Sequence, residues 1–200
     1  MTQVALESPD QPEVIALIGA LDDYQRSLYP PESCHLLDLA TLLQPKVLFA
    51  VARDASGAAV GCAAIVLQAG DGELKRFYLQ PGHRRQGLAG RLLALLEQQA
   101  VVAGCQGWLR LETGPFQPEA LAFYRRQGYA ECARFGSYAD DPLSVFMHKR
   151  LGAVARQPGR GTAHRDARPA AAGPHRSQAR PLDRRPVSAL KRHTSTIKVD

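Results

Sequence analysis

Residues 81–91 read PGHRRQGLAGR, and this stretch decides the fold. An apolar strand pattern ends just before it, and Leu88, Leu92 and Leu93 begin a helical pattern within it. A basic, glycine-containing loop that opens into a helix is suited to an anion. The first N–H groups of a helix are unpaired, and its dipole places partial positive charge at the same end.

Small residues in this loop leave room for a ligand with linked phosphates. Gly87, Ala89 and Gly90 let a pyrophosphate approach the backbone without interference from side chains. Arg84 and Arg85 can add charge-assisted contacts to the same ligand.

Two other phosphate-binding motifs fit this stretch less well. A Rossmann dinucleotide loop is favoured by Glu112, which ends the following strand where a ribose-binding carboxylate is expected. Its three-glycine fingerprint is missing, however, and no doubly wound series of strands and helices follows. The Gly-Lys-Ser/Thr of a P-loop is also missing, which leaves a surface loop that is basic by chance as the remaining alternative.

Outward from the loop, the patterns predict an α/β chain in the order β-α-α-β-β-β-α-β-α-β-β. Strands are predicted at residues 3–7, 47–53, 58–68, 73–79, 108–112, 129–134 and 143–149, and helices at 11–28, 36–43, 88–103 and 118–127. Asp10 is predicted to cap the first helix, with Glu13 at the capping-box position. Strand alternation predicts that Arg76 faces away from Glu73. The first strands are expected to be antiparallel, and a crossover helix is expected to join a parallel pair.

Charge divides the chain near residue 151. The net charge is +6, but residues 152–200 contain nine Arg, two Lys and three Asp, which gives +8 there and leaves −2 for residues 1–151. The terminal segment has no aromatic residue and no apolar period, so a disordered tail is predicted after a single domain. Nucleic-acid binding by this tail is the less favoured interpretation, because basic runs are usually only solvated. A cloning or reading-frame extension is left open.

The remaining features exclude several classes of protein. The four cysteines have no paired spacing, so neither a zinc site nor a redox dithiol is predicted, and each is expected to be a small buried apolar residue. The N-terminus lacks the pattern of a signal peptide, and no stretch is long enough to span a membrane. The sequence therefore predicts a cytoplasmic protein with no metal and no membrane partner, and leaves a homodimer open.

A second motif, ALAFYRRQGY at residues 120–129, makes the pattern specific. Together with Arg84-x-x-Gly87-x-Ala89 it resembles the GNAT superfamily of acetyl-CoA-dependent N-acetyltransferases. That superfamily combines Gln/Arg-x-x-Gly-x-Gly/Ala with a later segment ending in Tyr-x-x-x-Gly-Phe/Tyr. The resemblance covers roughly residues 3–151. It implies one GNAT-like α/β domain with a mixed central sheet, antiparallel in its first half and parallel at the cofactor site, flanked by helices.

The resemblance also implies acetyl-CoA as the acyl-donor cosubstrate, without a metal. The implied cofactor-binding residues are Tyr78, Leu79, Arg84, Arg85, Gln86, Gly87, Leu88, Ala89, Gly90 and Gln117. Gln117 stands where many members have Asn. Tyr124 resembles the family tyrosine that reaches the CoA sulfur, where it can act as general acid; the alternative is an aromatic that only packs its helix.

Transfer to an amine also needs an oxyanion donor and a base. The backbone N–H of Leu79 is the candidate donor. Glu73 lies eleven positions before Arg84, similar to the catalytic Glu of the histone-acetyltransferase branch, and is the candidate base. A carboxylate paired with a neighbouring Lys or Arg is an equally open interpretation of Glu73.

The expected reaction is direct transfer of the acetyl group to an amine of a small molecule or protein. Tyr29, Glu32 and His35 lie in the segment where the resemblance implies an acceptor pocket. The alternatives are a sensor that binds acyl-CoA without catalysis, or a nucleic-acid-binding protein that acts through the basic tail.

Overall fold

A mixed sheet forms the frame of residues 1–152, the part of the chain that our computed structural model describes. The predicted tail, residues 152–200, lies outside the described residues apart from Gly152. The strands are β1 Gln3–Leu6, β2 Val47–Arg53, β3 Ala59–Gln68, β4 Asp71–Leu79, β5 Trp108–Thr113, β6 Ala130–Glu131 and β7 Val145–Arg150. They lie in the order β1-β2-β3-β4-β5-β7-β6. Only β4 and β5 run parallel, as predicted.

Four α-helices accompany the described part of the sheet. They are α1 Pro12–Leu28, α2 Leu39–Leu42, α3 Leu88–Val102 and α4 Pro118–Arg126, with short 3-10 turns at Pro31–Ser33 and Pro81–His83. Helix α3 is the crossover that joins β4 to β5. The α/β class, the element order and the mixed sheet are confirmed. Within residues 1–152, no helix is both long and apolar enough to cross a membrane.

Each face of the sheet carries its own apolar cluster. On the side we call the α3 face, Leu74 and Phe77 of β4 pack with buried residues of α3 and α4. On the opposite side, the α1 face, Cys62, Ala64 and Tyr78 pack with α1. Burying each large apolar side chain stabilises the fold by roughly 1.5–3 kcal/mol, so these two clusters hold β4 in place from both sides.

The start of α1 differs from the prediction. Gln11 rather than Asp10 is the N-cap residue, and no side chain caps the helix there. Glu13 does not turn back to form a capping box, because its carboxylate pairs with Arg53 of β2 at 2.6 Å. A tertiary ion pair has replaced the local hydrogen bond that the sequence pattern suggested.

Three further expectations about local structure are corrected. The helix predicted at residues 36–43 is only Leu39–Leu42, because the side chain of Asp38 accepts from Thr41 N–H and caps it there. The strand predicted at 129–134 is reduced to Ala130–Glu131. None of the four cysteines, all within the described residues, forms a disulfide, but Cys34 and Cys132 are only half-buried.

The predicted orientation of Arg76 was wrong because β4 contains a bulge. The pairing of β3 with β4 shifts between Cys62 and Ala64, and Arg76 has φ 54°, a left-handed conformation that is rare outside glycine. The extra residue reverses the alternation, so Arg76 turns to the α1 face, where Glu73 also lies. There its guanidinium pairs with Asp22 of α1 and donates to the carbonyl of Leu37.

Candidate active site

An opening in the sheet lies between the C-terminal halves of β4 and β5. The two strands pair only at Gly72 with Leu109 and at Glu73 with Arg110. Beyond that point β4 continues to Leu79 and pairs only with β3 among the described strands. The edge of β4 that carries Tyr78 and Leu79 is therefore available to an extended ligand, as a strand edge is.

The loop after β4, residues 80–87, lies where the sequence predicts an anion cradle. Arg85 has φ 58° and Gly87 has φ 77°, so two residues within three positions adopt the left-handed conformation. Gly87 is also the N-cap of α3, whose 15 residues align their peptide dipoles toward this end. A left-handed Arg costs roughly 1 kcal/mol or more, and such strain clusters at binding sites.

Residues 84–87 of the cradle differ in exposure to solvent. Arg85, Gln86 and Gly87 are exposed. Half-buried Arg84 donates from Nε to the carbonyl of Leu79 at 3.0 Å, which ties the loop to the end of β4.

Three residues of the first turn of α3 differ in what they offer a ligand. A Cβ added at Gly90 would meet no atom within 4 Å, so the space beside it is open. Leu88 and Ala89 are buried in the cluster on the α3 face. The small size of Ala89 therefore serves packing, and these two residues can offer a ligand only their backbone.

Tyr124 of α4 presents a hydroxyl with no partner. The side chain is 0% exposed, and its ring packs against Phe77, Phe123 and Tyr129. Its hydroxyl has no hydrogen-bond partner in the described part of the chain. Burial raises the pKa of Tyr124 well above its usual value, so the phenol stays protonated at neutral pH. A buried polar atom without a partner is costly, and in a native structure it points to a bound group or a catalytic role.

Glu73 belongs to a buried network on the α1 face. Its side chain pairs with Lys75 at 2.5 Å and accepts from the hydroxyl of Tyr138 at 2.7 Å. Lys75 also donates to Tyr138 at 2.5 Å, and both β4 residues are less than 10% exposed. Burial lowers the pKa of Lys75, while the adjacent Glu73 carboxylate acts in the opposite direction. The ion pair that was one interpretation of Glu73 is thus present.

Two further ionisable residues border this network. His35 meets the ring of Tyr138 edge-on at 5.2 Å, and burial, with Lys75 as a smaller cause, lowers the pKa of this imidazole. Glu112 at the end of β5 is buried and accepts from Ser144 Oγ at 2.8 Å. His35 therefore reaches the Glu73 network through Tyr138, and the acceptor pocket stays a prediction.

Gln117 is the N-cap of α4 and is held by the end of α1. Its Nε2 donates to the hydroxyl of Tyr29 at 2.9 Å. Its Oε1 is buried and has no hydrogen-bond partner within residues 1–152. The Gln117 amide is fixed at one end and offers an acceptor at the other.

Lys75 and Tyr138 were not among the site residues predicted from the sequence. Lys75 could have been found, because it lies two residues after Glu73 on one strand and so shares its face. Tyr138 lies between β6 and β7 without any periodic signal, and only the tertiary structure brings it to Glu73. In contrast, Tyr124 packs on the α3 face, so the two candidate catalytic residues lie on opposite sides of the sheet.

Metal ligation has no basis in the described residues. They contain no group of three or more His, Cys, Asp or Glu side chains that could hold a metal ion. His83, the histidine nearest the cradle in sequence, lies 3.8 Å from Asp54.

Comparisons with known proteins agree with this arrangement. A model of the Acetyltransferase (GNAT) family matches residues 13–129. The protein named IAA acetyltransferase from Azospirillum brasilense is 49% identical over 150 residues, 74% of this chain and 97% of that protein. The uncharacterized N-acetyltransferase YsnE of Bacillus subtilis is 34% identical over 143 residues, 70% of this chain and 93% of that protein.

Solved structures show the same fold. A crystal structure described as an acyl-CoA N-acyltransferase from Klebsiella pneumoniae is 45% identical, covers 76% of this chain and 98% of its own, and has a TM-score of 0.67. A more distant structure, the PaiA N-acetyltransferase of Thermoplasma acidophilum in complex with coenzyme A, is 18% identical, covers 75% and 99%, and has a TM-score of 0.56. With its motifs at residues 84–90 and 120–129 on one mixed sheet, the chain belongs to the GNAT acetyltransferase family.

Proposed function

We propose that this protein is an acetyl-CoA-dependent N-acetyltransferase that transfers the acetyl group directly to an amine of a small molecule or protein. One observation carries the proposal. An open strand edge leads from an anion cradle at the start of α3 toward a buried tyrosine hydroxyl that has no partner in the described residues.

The cradle and the strand edge suit the two chemically different parts of coenzyme A. Residues 84–90 would hold the pyrophosphate with backbone N–H groups and the helix dipole, supported by Arg84 and Arg85. Tyr78 and Leu79 would pair their backbone with the amide-containing pantetheine arm. Bound acetyl-CoA would supply an acetyl group activated as a thioester.

Two groups of this chain would stabilise the charge that develops during transfer. The backbone N–H of Leu79 would donate to the carbonyl oxygen as it gains negative charge. The hydroxyl of Tyr124 would donate to the departing sulfur, since its raised pKa keeps its proton in place until a stronger acceptor is present.

Glu73 remains the proposed proton acceptor for the amine. Because its carboxylate already contacts Lys75 and Tyr138, a proton taken from the amine would enter this network rather than a lone carboxylate. A smaller effect is therefore expected on replacing Glu73 with Gln than on removing the Tyr124 hydroxyl, because the remaining network and water can still carry the proton.

A panel of amines tests the proposal through the release of CoA thiol from acetyl-CoA. The panel should include small polyamines, a lysine peptide and free protein N-termini. We expect thiol release to depend on one class of acceptor and to fall in Tyr124→Phe.

Binding of acetyl-CoA without transfer to any acceptor, together with an unchanged Tyr124→Phe variant, would contradict catalysis. That outcome would favour a protein that only senses acyl-CoA.

A further inference from the structure

Gln117 lies in the loop between β5 and α4 and is 4% exposed. Its side-chain nitrogen donates to the hydroxyl of Tyr29, whereas its side-chain oxygen has no hydrogen-bond partner in the described part of the chain. It also forms no cap hydrogen bond at the start of α4, although it occupies the N-cap position. A buried amide oxygen without a donor costs free energy, so this arrangement calls for a ligand that brings an N–H group.

Tyr29, the C-cap residue of α1, fixes the orientation of this amide. Its hydroxyl oxygen accepts from Phe116 N–H at 3.2 Å and from Gln117 Nε2 at 2.9 Å. A hydroxyl oxygen has two lone pairs, and these two N–H donors use both. The ring of Tyr29 stacks on Phe116 with centroids 5.7 Å apart, so the aromatic body is held as well as the polar tip.

The loop between β5 and α4 is shaped to receive Tyr29. A Cβ added at Gly114 would lie 2.0 Å from the Tyr29 hydroxyl oxygen and 2.3 Å from Cζ. Only glycine leaves the room that brings Tyr29 against the loop. The contact therefore joins the C-terminal end of α1 to the loop that precedes α4.

We propose that Tyr29 is a positioning residue that holds Gln117 so that its Oε1 accepts a hydrogen bond from an amide N–H of the pantetheine arm. The inference rests on the proposed function, because it needs coenzyme A in the opening between β4 and β5. Gln117 follows the C-terminal end of β5 by four residues, and β5 borders the opening opposite β4. An arm that pairs with β4 would present N–H groups to both sides, as a strand does.

Binding of coenzyme A to the full chain, measured by isothermal titration calorimetry, tests this assignment without any turnover. Gln117→Met removes the amide at similar volume, and Tyr29→Phe removes the hydroxyl while keeping the ring. We expect Gln117→Met to weaken binding about tenfold and Tyr29→Phe about three- to fivefold, the range for one buried hydrogen bond. Tyr24→Phe, a change at a more exposed tyrosine of the same helix, is the matched control and should leave the affinity unchanged.

The double variant separates positioning from an independent structural effect. Because Tyr29 acts through Gln117, the double variant should bind no more weakly than Gln117→Met alone. Thermal unfolding checks that each variant folds. If the losses in binding free energy of the two single variants add fully in the double variant, the positioning role of Tyr29 is overturned.

The remaining outcomes separate this inference from the proposed function. Failure of the unaltered protein to bind coenzyme A would remove the proposed function itself. Normal binding by the unaltered protein with unchanged affinity in both single variants would overturn only the inference. A rise in KM for the amine without a change in coenzyme A affinity would show that Oε1 faces the acceptor, and would also overturn it.

Discussion

Tyr124→Phe is expected to raise the stability of the free protein while lowering its activity. The hydroxyl is fully buried and has no partner within residues 1–152, so the folded state loses its hydration without a compensating hydrogen bond. Leaving a buried donor unsatisfied costs roughly 1–3 kcal/mol. Allowing for some relaxation, we expect its removal to raise the free energy of unfolding by about 1 kcal/mol, which is about 2–4 °C in Tm for a domain of this size.

The same substitution should reduce kcat by about 100-fold or more, the usual range for loss of a general acid. KM for acetyl-CoA should change little, because the donated hydrogen bond becomes strong only as charge develops on the sulfur. The two measurements are urea denaturation without ligand and steady-state release of CoA thiol.

Tyr129→Phe is the matched control for this prediction. Its ring contacts that of Tyr124 at 5.7 Å, but its hydroxyl donates to Glu97 at 3.0 Å. The same chemical change should therefore destabilise the fold by about 1 kcal/mol and leave kcat near its original value. Loss of stability in Tyr124→Phe, or a kcat equal in the two variants, would refute the reasoning.

Three further predictions address the cradle, the bulge and the buried phenols. Gly90→Glu should raise Tm slightly, because Gly is a poor helix former and a Cβ at this position has space. It should weaken coenzyme A binding at least tenfold by calorimetry, since the new carboxylate faces the phosphates. Unchanged affinity would contradict the assignment of the cradle. Asp22→Asn should cost about 3 kcal/mol in urea denaturation by leaving the buried Arg76 charge unpaired, whereas Asp23→Asn, at a side chain 82% exposed, should change little. Above about pH 10 the buried phenols should lower stability by about 1.4 kcal/mol per pH unit each, because the unfolded chain loses protons that the folded state retains. The Tyr124→Phe variant should show a shallower fall between about pH 10 and pH 11, and an identical slope would contradict this. The phenols whose pKa burial raises in this way are Tyr124, Tyr129 and Tyr138.

The parts of the fold that local sequence determines were predictable. The bounds of β2 at Val47–Arg53 match the apolar run between turn residues, and the start of α4 follows from proline in its first turn. The parallel pair also followed from a helical pattern between two strand patterns. These features depend on side-chain periodicity and turn chemistry over a few residues.

The features that distant residues impose were not predictable. The left-handed conformation of Arg76 opposes local preference, and it persists where Asp22 and the Leu37 carbonyl hold the guanidinium. The shortened α2 depends on Asp38, which could equally have been read as a residue inside the helix.

The candidate site divides in the same way. The cradle and Tyr124 come from motifs with fixed spacing, so their positions could be named from sequence. The partners of Glu73 could not, because Tyr138 is separated from it by 65 residues in an irregular segment. The hydrogen bond between Tyr29 and Gln117 likewise joins residues 88 positions apart, and no sequence pattern near either residue predicts it.

The bulge at Arg76 can arise or disappear through the insertion or deletion of a single residue. Lys75 and Arg76 both lie on the α1 face, while Leu74, Phe77 and Leu79 lie on the other. Deleting residue 76 alone would therefore leave every other side chain of β4 on its present face and would pair Phe77 with Ala63 in regular register. The irregular strand and a regular one therefore differ by a single codon, and its deletion would leave the Asp22 carboxylate and the Leu37 carbonyl without the Arg76 guanidinium.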